Sequence, residues 1–543
     1  MTRKLLKKRG ELLSKETGTV FKDPGGKITV ALCYPNSYSV GMSSLGFQGI
    51  YGLLNDMQDV VCERAFLPDT DDIEEFRRTG TELFTLESKR SLSRFDMVAF
   101  SVSFENDYPN ILKMLKMAKI PLRQRERDDR HPLLLMGGIC AFFNPEPLAE
   151  FFDVCFVGEA EEMLSEFLEL CRRSSSRNRL FEKSSGIEGV YIPRLYSVDY
   201  ADTGQIIRRR AVRGAPEIIR KRTVKDLSKI FLKTIITSPE TEFSDMCLIE
   251  VMRGCPWSCR FCLAGHIYRP SRRKAPELLK EEIGGVLSRT KRVGLIGSSL
   301  SDYPYMHDIL ELDGVDFSIT SLRASVKSGQ LVQMLKNHKS VSIAPEAGTD
   351  RLRLVINKKI TEEDILDTAK LILDSGIETL RLYFMIGLPT ETIADIEGII
   401  ALVKKVRAQN RKGFITLSIS TFVPKPFTPF QWHPMEPLKH IKEKVRIIKK
   451  GLSGAKGVRI YNDVPKYAYV QGLFSSGDRR VASSIEETAF NHAFGENRSR
   501  SSIDRDFYIF RQKEKNEVLP WDFIDAGISK NALWEEYMKA IIP

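Results

Sequence analysis

The sequence predicts an α/β protein with a doubly wound N-terminal sheet, a second series of six βα units and a mostly helical C-terminal region. Short apolar, β-branched runs alternate with amphipathic helical patterns up to residue 171, and the alternation resumes from residue 246. Strands that alternate with helices are typical of parallel sheets covered by helices. The 543 residues correspond to two or three domains. We divide them into domains at 1–190, 246–435 and 436–543, with a linker at 191–245.

The composition, with 42% hydrophobic and 28% charged residues, is that of an ordinary globular protein. No apolar run is long enough to cross a membrane, and the basic residues 1–9 lack the apolar segment of a signal peptide. Nine cysteines without framework spacing predict reduced thiols and a cytoplasmic location. The net charge of +11 is spread over scattered basic runs without interleaved aromatic residues, so RNA is not a favoured partner.

Five strands and four helices are predicted in the first domain. The strands are at residues 27–33, 60–66, 96–102, 133–136 and 153–157. The helices are at residues 44–54, 71–78, 108–118 and 161–171. Doubly wound sheets bind ligands at the carboxyl ends of their strands, where glycines permit close approach. The candidate residues there are Asn36, Tyr38, Gly41, Gly137, Gly138 and Gly158.

The linker is predicted to contain a small strand pair and a basic stretch that leads to an extended run at 231–236. The second series has predicted strands at 246–252, 292–296, 317–320, 340–343, 379–385 and 416–422. Its predicted helices are at 277–287, 330–336, 350–355, 362–374 and 392–409. The C-terminal region is predicted to be helical at 437–451, 469–473, 478–489 and 531–540.

Three cysteines with the spacing C-x3-C-x2-C follow the first strand of the second series: Cys255, Cys259 and Cys262. Thiolates are soft ligands that suit iron–sulfur clusters and zinc. A cubane cluster normally takes four cysteines, so a loop with three leaves one iron open to a substrate or cofactor. A Cys3His zinc site that includes His266 is the alternative, although zinc ligands usually come as two separated pairs. We favour the cluster.

The cysteine loop, with the aromatic Phe261 directly before Cys262, resembles that of the radical S-adenosylmethionine (radical SAM) enzymes. The resemblance implies a partial (βα)6 barrel with a [4Fe–4S] cluster on the three cysteines. It also implies that S-adenosylmethionine chelates the open iron and that one electron cleaves it to a 5′-deoxyadenosyl radical. A small electron donor such as flavodoxin or ferredoxin is the implied partner.

The resemblance also assigns residues to the cofactor at the carboxyl ends of the barrel strands. Ser298 and Ser299 follow the second strand, where the family receives the amino group. After the fourth strand, Glu346 is the candidate for the ribose hydroxyls and Arg351 for the cofactor carboxylate. The alternative is that Glu346 and Arg351 pair with each other or cap a helix.

Two further segments carry the resemblance. Gly387 and Pro389 follow the fifth strand and are similar to the Gly-x-Pro segment beside the adenine, to which Phe261 presents its backbone. Residues 422–432, rich in proline and aromatic residues, resemble the segment that closes the barrel in methylthiotransferases. Its lysine, Lys425, is predicted to be exposed to solvent rather than to reach the site.

The first domain resembles the cobalamin-binding domain found upstream of many radical SAM enzymes. The motif of that domain is Asp-x-His-x-x-Gly, and this chain has Asn36, Tyr38 and Gly41 in the matching places. A tyrosine is not the imidazole expected to coordinate cobalt. Either a corrinoid binds without a lower ligand from the protein, with its nucleotide tail near Gly137 and Gly158, or the fold persists without the site.

The sequence therefore predicts a radical SAM enzyme that cleaves S-adenosylmethionine reductively and acts on an unidentified substrate, by cobalamin-assisted methyl or group transfer if the first domain binds a corrinoid. Segments 475–480 and 519–525 look like those of a group of two-domain radical SAM proteins. RNA methylthiolation is an alternative, weakened because no second cluster of three cysteines and no small RNA-binding β-domain are evident. A zinc-stabilised nucleic-acid-binding protein is the non-enzymatic alternative.

Overall fold

The structure is a computed structural model, which describes residues 2–319, 321–335, 338–409, 412–490 and 503–542. Two predicted elements end outside these ranges, the strand 317–320 at Thr320 and the helix 330–336 at Lys336. Among the described residues, no helix combines the length and apolar character that a membrane crossing requires.

All five strands predicted for the first domain form, each within one residue of the predicted bounds. They are β1 Ile28–Tyr34, β2 Val60–Phe66, β3 Met97–Ser101, β4 Leu133–Gly137 and β5 Val154–Phe156, and β6 Val190–Tyr191 follows. β1 to β5 are parallel in the order β2-β1-β3-β4-β5, and β6 pairs antiparallel with β5. Helices cover both faces of such a sheet, which explains why its strands are continuous apolar runs.

The helices of this domain include the four that were predicted and four that were not. They are α1 Arg3–Ser14, α2 Tyr38–Met42, α3 Leu45–Asp56, α4 Thr70–Thr79, α5 Tyr108–Met117, α6 Ile139–Phe143, α7 Ala160–Arg173 and α8 Arg177–Ser184. The basic leader forms α1 because Thr2 caps its first turn and Leu5 is buried against the domain. α2 and α6 each have five residues, too few for a helical period to show in the sequence.

The linker forms an antiparallel hairpin and then joins both units. The hairpin consists of β7 Tyr196–Tyr200 and β8 Ile206–Ala211, and the short strand β9 Ile219–Arg220 follows. The extended run at 231–236 lies beside the next strand of the chain, β10 Cys247–Glu250. The N–H of Thr234 donates to the carbonyl of Leu248 at 2.9 Å, and the N–H of Glu250 donates to the carbonyl of Leu232 at 3.2 Å.

The second unit contains the predicted parallel strands and one more. After β10 come β11 Met252–Arg253, β12 Arg272–Arg273, β13 Arg292–Ile296, β14 Asp316–Ser318, β15 Ser321–Leu322, β16 Ser340–Glu346, β17 Thr379–Ile386, β18 Phe414–Thr421 and β19 Val458–Asn462. The parallel orders are β10-β13-β14 and β15-β16-β17-β18-β19. The predicted third strand is divided into β14 and β15. β19 lies beyond the predicted boundary at residue 435, so the parallel sheet continues past it.

Helices cover one face of these strands. They are α9 Pro276–Val286, α10 Met306–Leu310, α11 Val326–Met334, α12 Asp350–Val355, α13 Glu362–Asp374, α14 Ile393–Gln409 and α15 Leu438–Leu452. Side chains alternate between the two faces of a strand. On β17, Leu380, Leu382 and Phe384 are buried in the core with the helices, whereas Arg381 and Tyr383 are exposed on the opposite, inner face.

The C-terminal region packs on the first domain. It contains α16 Pro465–Ser476, α17 Ala482–Phe490, α18 Asp506–Ile509, β20 Ile524–Asp525 and α19 Lys530–Ile541, and β20 pairs with β9 of the linker. Its buried residues join the first sheet in one hydrophobic cluster, while the helices and strands of the second unit form a second cluster. The sequence indicated helices here but gave no sign of which unit they would cover.

Candidate functional site

The cysteine loop is closed at its base by a small antiparallel ribbon. β11 ends at Arg253 and pairs with β12, so that residues 254–271 form one loop between the two strands. Gly254 begins the loop with φ +80°, and a Cβ atom there would collide with the carbonyl oxygen of Tyr268. Only glycine permits this close turn, which places the first cysteine, Cys255, directly at the carboxyl end of the first barrel strand.

The last turn of α12 holds the loop on both sides of Cys259. The side-chain amide of Asn357 donates to the carbonyl of Ser258 at 2.9 Å. The backbone N–H of Arg260 donates to the carbonyl of Ile356 at 3.0 Å. The guanidinium of Arg260 donates to two more carbonyls of this turn, at 3.1 and 2.8 Å. Cys259 is thereby fixed by hydrogen bonds to both of its neighbours.

Backbone N–H groups surround the sulfur atoms. The N–H of Trp257 donates toward Cys255, and the N–H groups of Ala264 and Gly265 donate toward Cys262. Burial, with a smaller contribution from Cys259, raises the pKa of Cys262 to about 11. A bound metal reverses that preference, because a coordinating thiol is deprotonated. Hydrogen bonds to sulfur are a feature of iron–sulfur sites, so these residues fit a cluster.

His266 is not positioned as a metal ligand. Its ring is buried, and its Nε2 lies 3.2 Å from the carbonyl oxygen of Cys259 rather than beside a sulfur. Burial lowers the pKa of His266 to about 4. Zinc with sulfur ligands at about 2.3 Å needs ligand atoms about 4 Å apart. In the described part of the chain, the one group of three such side chains with ligand atoms within 4.8 Å is the exposed trio His307, Asp308 and Glu311.

The segment after β13 contacts the cysteine loop. The indole N–H of Trp257 donates to Asp302 at 2.7 Å, and the hydroxyl of Ser299 donates to the same carboxylate. The guanidinium of Arg323 lies 3.7 Å above the Trp257 ring. Asp302 and Ser299 therefore orient the loop, whereas Ser298 is exposed at the carboxyl edge.

Glu346 and Arg351 do not pair with each other, and the residue that caps the first turn of α12 is Thr349, so the sequence-based alternative of pairing or capping is wrong. Glu346 has φ +67° at the end of β16 and accepts a hydrogen bond from the ammonium of Lys358 at 3.0 Å. Burial acts to lower the pKa of Lys358, but Glu346 and then Cys259 outweigh it and the pKa is raised. Arg351 pairs with Asp395 and donates to the carbonyl of Thr390 at 2.9 Å. No sequence pattern pointed to Lys358.

The Gly-Leu-Pro turn follows β17 as expected. The N–H of Gly387 donates to Glu391 at 2.9 Å, and Pro389 is buried. Leu388 belongs to the same hydrophobic cluster against which Phe261 packs. The turn therefore lies at the carboxyl end of β17, where the sequence predicts it.

A cavity of about 850 Å³ lies between the two units. Its walls are the apolar face of the first sheet, α3, α7, the linker residues 229–232 and the beginning of the cysteine loop. Gly137, Gly138 and Gly158 line it from the first domain, and Gly254 and Ser298 line it from the second unit. The structure therefore brings three of the first-domain candidates to one space beside the cysteine loop.

The other three first-domain candidates do not line this cavity. The hydroxyl of Tyr38 donates to Glu16 at 2.7 Å, and its ring packs edge-on against Phe66. The Asn36 amide donates to Asp107 at 2.9 Å, and a Cβ atom on Gly41 would lie 2.5 Å from the Phe66 ring. Tyr38, which stands in the motif place of the family's histidine, is part of the packing around β2.

Lys425 is not exposed, contrary to the prediction. Its ammonium pairs with Glu105, a buried carboxylate that follows β3 and also accepts a hydrogen bond from Gln471 at 3.1 Å. Residues 422–432 therefore bind the first domain and α16 at the carboxyl edges of both sheets. This long-range pair carries no local sequence signal.

Comparisons with known proteins give family matches over parts of both units. The family model "Radical SAM proteins, N-terminal" matches residues 46–193, and "Radical SAM superfamily" matches residues 249–403. The uncharacterized protein MJ0966 of Methanocaldococcus jannaschii is 31% identical over 462 residues, which are 84% of this chain and 90% of that protein. A tRNA-2-methylthio-N(6)-dimethylallyladenosine synthase of Pelotomaculum thermopropionicum is 23% identical over 36% of this chain and 46% of its own length.

A solved structure is also similar. It is that of the cobalamin-dependent S-adenosylmethionine radical enzyme OxsB with aqua-cobalamin bound, with 13% identity and a TM-score of 0.45 over 69% of this chain and 52% of that chain. The second family model includes all three cysteines of the loop. The chain therefore belongs to the radical SAM superfamily, whose enzymes use a [4Fe–4S] cluster and S-adenosylmethionine.

Proposed function

We propose that this radical SAM enzyme binds cobalamin in the cavity between its two units and transfers a methyl or another group to its substrate. One observation carries the proposal. The 850 Å³ cavity is lined both by the strand ends of the first domain and by the start of the cysteine loop. A ligand in this space would contact the first domain and the radical centre together.

The shape of the cavity supports a long ligand with an apolar tail. It extends from the strand ends along the sheet face, between that face and the helices α3 and α7. The lining there is mostly apolar, with Leu32, Ala99, Leu53 and Leu164 among its residues. The sheet order β2-β1-β3-β4-β5 is that of flavodoxin-like domains, which bind their ligands at the carboxyl ends of the strands.

A corrinoid in this cavity would have no imidazole from the protein below cobalt. None of the six histidines in the described part of the chain lines the cavity. Tyr38, the residue in the motif position, is directed toward Glu16. A corrinoid in this cavity would therefore bind without a lower ligand from the described residues, which is the first of the two arrangements left open by the sequence.

We assign the cluster to Cys255, Cys259 and Cys262, which hold it through their thiolates. When bound, the cluster and S-adenosylmethionine supply the radical that starts the reaction. Ser298 is proposed to receive the amino group and Glu346 the ribose hydroxyls. The remaining proposed cofactor residues, which keep their assignments from the sequence, are Phe261, Ser299, Arg351, Gly387 and Pro389.

The cleavage of S-adenosylmethionine needs one electron, and the cluster needs a reducing compartment. We propose a small electron donor such as flavodoxin or ferredoxin and a cytoplasmic location. All nine cysteines are free thiols, which fits a reducing compartment. The methylthiolation alternative gains no support, because Cys33, Cys62, Cys140, Cys155 and Cys171 are distributed over separate elements of the first domain.

The experiment is an anaerobic titration with cobalamin, followed by electron paramagnetic resonance of the Co(II) form. Gly137→Val tests the site, because a Cβ atom on Gly137 meets nothing within 4 Å and a β-branched residue suits a strand. We expect the variant to fold and to lose cobalamin. Gly138 is unsuitable, since its φ is +93° and a Cβ atom would lie 2.5 Å from the Val102 carbonyl oxygen.

Tyr38→Phe is the matched control and should bind cobalamin like the unmodified protein. The Co(II) spectrum should show no nitrogen splitting from a protein imidazole. Failure of the unmodified protein to bind cobalamin would refute the proposal, and so would equal binding by the Gly137→Val variant. The radical SAM centre would then act with S-adenosylmethionine alone.

A further inference from the structure

We infer that the inner face of the barrel sheet binds single-stranded nucleic acid as the substrate of this enzyme. The inference rests on the proposed function, since it names the substrate class for the same reaction centre. It comes from a pattern that is visible only when the strands are aligned. The scattered basic runs of the sequence play no part in it.

The same triplet, Arg-x-Tyr, occurs on two strands of this sheet. β17 carries Arg381 and Tyr383, and β19 carries Arg459 and Tyr461. β18 lies between them, and Thr416 pairs with both arginines in the register of the sheet. Ser418 likewise pairs with both tyrosines. The sheet therefore presents a basic row and, one step further along the strands, an aromatic row.

Both rows lie on the face that none of the described helices covers. The residues between them, Leu382 and Ile460, are directed toward the helices and pack in or against the barrel core. Tyr461 is 60% exposed and Tyr383 is 37% exposed. Phe414, at the start of β18, is exposed as well. Large aromatic side chains on one open face are an exposed patch, which marks an interaction site.

The arginines are available to a ligand. Within the described ranges, no side chain or carbonyl makes an ion pair or hydrogen bond with Arg381. The guanidinium of Arg459 lies 4.4 Å above the Phe414 ring. Both arginines are exposed, and no described carboxylate pairs with either. Two unpaired cations on a concave face attract an anionic ligand.

The repetition of the triplet favours a ligand that itself repeats. One Arg-x-Tyr unit suits one phosphate and one base, because guanidinium binds phosphate and tyrosine stacks on bases. The two units are two strand spacings apart, about 10 Å. A chain of nucleotides offers phosphates and unstacked bases in succession, whereas a duplex hides the base faces. Single-stranded nucleic acid therefore matches the surface better than a mononucleotide.

The aromatic surface continues toward the cavity. β19 leads into α16, where Tyr467 is 62% exposed. The carbonyl of Tyr467 accepts a hydrogen bond from Asn106 at 3.3 Å, and the neighbouring Phe104 is 43% exposed. Ser103 lines the cavity itself. Exposed aromatic side chains therefore occur both in the helix that follows β19 and beside the residue that borders the cavity.

The test is fluorescence anisotropy of a labelled single-stranded RNA with the full chain, without cobalamin, over a series of salt concentrations. We expect binding that weakens with salt. The double variant Arg381→Gln/Arg459→Gln removes two phosphate contacts, so the slope of log K against log salt should fall by about 1.4. Tyr383→Thr and Tyr461→Thr should each weaken binding at least about five-fold without changing the slope.

The charge control is Lys442→Gln/Lys449→Gln, which removes the same charge from the exposed side of α15. It should leave the slope unchanged. The inference is overturned by absence of binding, by an equal slope change in the control, or by equal competition from duplex RNA or from AMP. Equal competition by single-stranded DNA supports it. The cobalamin titration is independent of this measurement, so failure of one does not imply failure of the other.

Discussion

Replacing Glu146 by glutamine should loosen the C-terminal region from the first domain. The carboxylate is fully buried and accepts hydrogen bonds from Arg479 at 3.0 and 3.2 Å. It also lies 3.0 Å from the guanidinium of Arg209 on β8 and accepts a hydrogen bond from Tyr191. One carboxylate therefore joins the first domain, the linker hairpin and the start of the segment that leads to α17.

The pKa of Glu146 gives the size of the effect. Burial alone would raise the pKa, but Arg209 and Arg479 outweigh it and lower the pKa from 4.5 to about 2. Since each tenfold change in a protonation equilibrium is worth about 1.4 kcal/mol, this corresponds to about 3 kcal/mol. This value agrees with the loss of about 3–5 kcal/mol that typically follows removal of one member of a buried ion pair.

The contribution of Glu146 to stability depends on pH. Because the pKa of Glu146 in the folded state is below its unfolded value, the stabilisation by its ion pairs is fully present above about pH 4.5. It decreases as the pH falls toward 2. The difference in stability between the variant and the unmodified protein should therefore shrink across that interval and stay constant above it.

Amide hydrogen exchange of residues 475–481 measures the effect locally. A loss of about 3 kcal/mol should raise exchange there by roughly a hundred-fold at neutral pH. Glu150→Gln is the matched control, because Glu150 lies 3.5 Å from Arg123 at the surface and such pairs contribute about 0–1 kcal/mol. Equal exchange in the two variants would refute the reasoning, and so would a difference that does not change below pH 4.5.

Two further predictions concern the radical centre. The Cys259→Ala variant should lose its iron and no longer cleave S-adenosylmethionine, whereas the His266→Ala variant should retain its iron because the His266 ring faces a backbone carbonyl. Anaerobic iron and sulfide analysis measures both, and an active Cys259→Ala variant that retains its iron would contradict the assignment. The Glu346→Gln variant should bind S-adenosylmethionine about ten- to a hundred-fold more weakly with unchanged iron content, since a hydrogen bond to a charged group is worth about 1.5–3 kcal/mol. Calorimetric titration measures the affinity, and the Arg351→Gln variant is compared in the same assay. Unchanged affinity with lower thermal stability would show that Glu346 only pairs with Lys358.

The strands of both units were predictable because their sequences are continuous or alternating apolar runs bounded by helical patterns. The cysteine loop was predictable because its ligands are contiguous in sequence. β19 was missed, since its arginine and tyrosine face the open interior and leave too few apolar residues for a strand pattern. The surroundings of Tyr38 were not predictable, because a motif position does not specify a side-chain direction and its hydrogen-bond partner, Glu16, precedes the first strand without any local signal.

The linker explains why the two units meet at a cavity. α3 carries Gly49 and Gly52 where the linker crosses it, and Leu232 occupies the space that a Cβ atom on Gly49 would need. Ile235 lies 2.9 Å from the corresponding position on Gly52. The same linker run is hydrogen-bonded along β10, the strand that leads to the cysteine loop. The linker run is thus attached both to α3, which forms a wall of the cavity, and to β10, the strand that leads to the cysteine loop. These two attachments set the distance between the cavity and the cluster ligands.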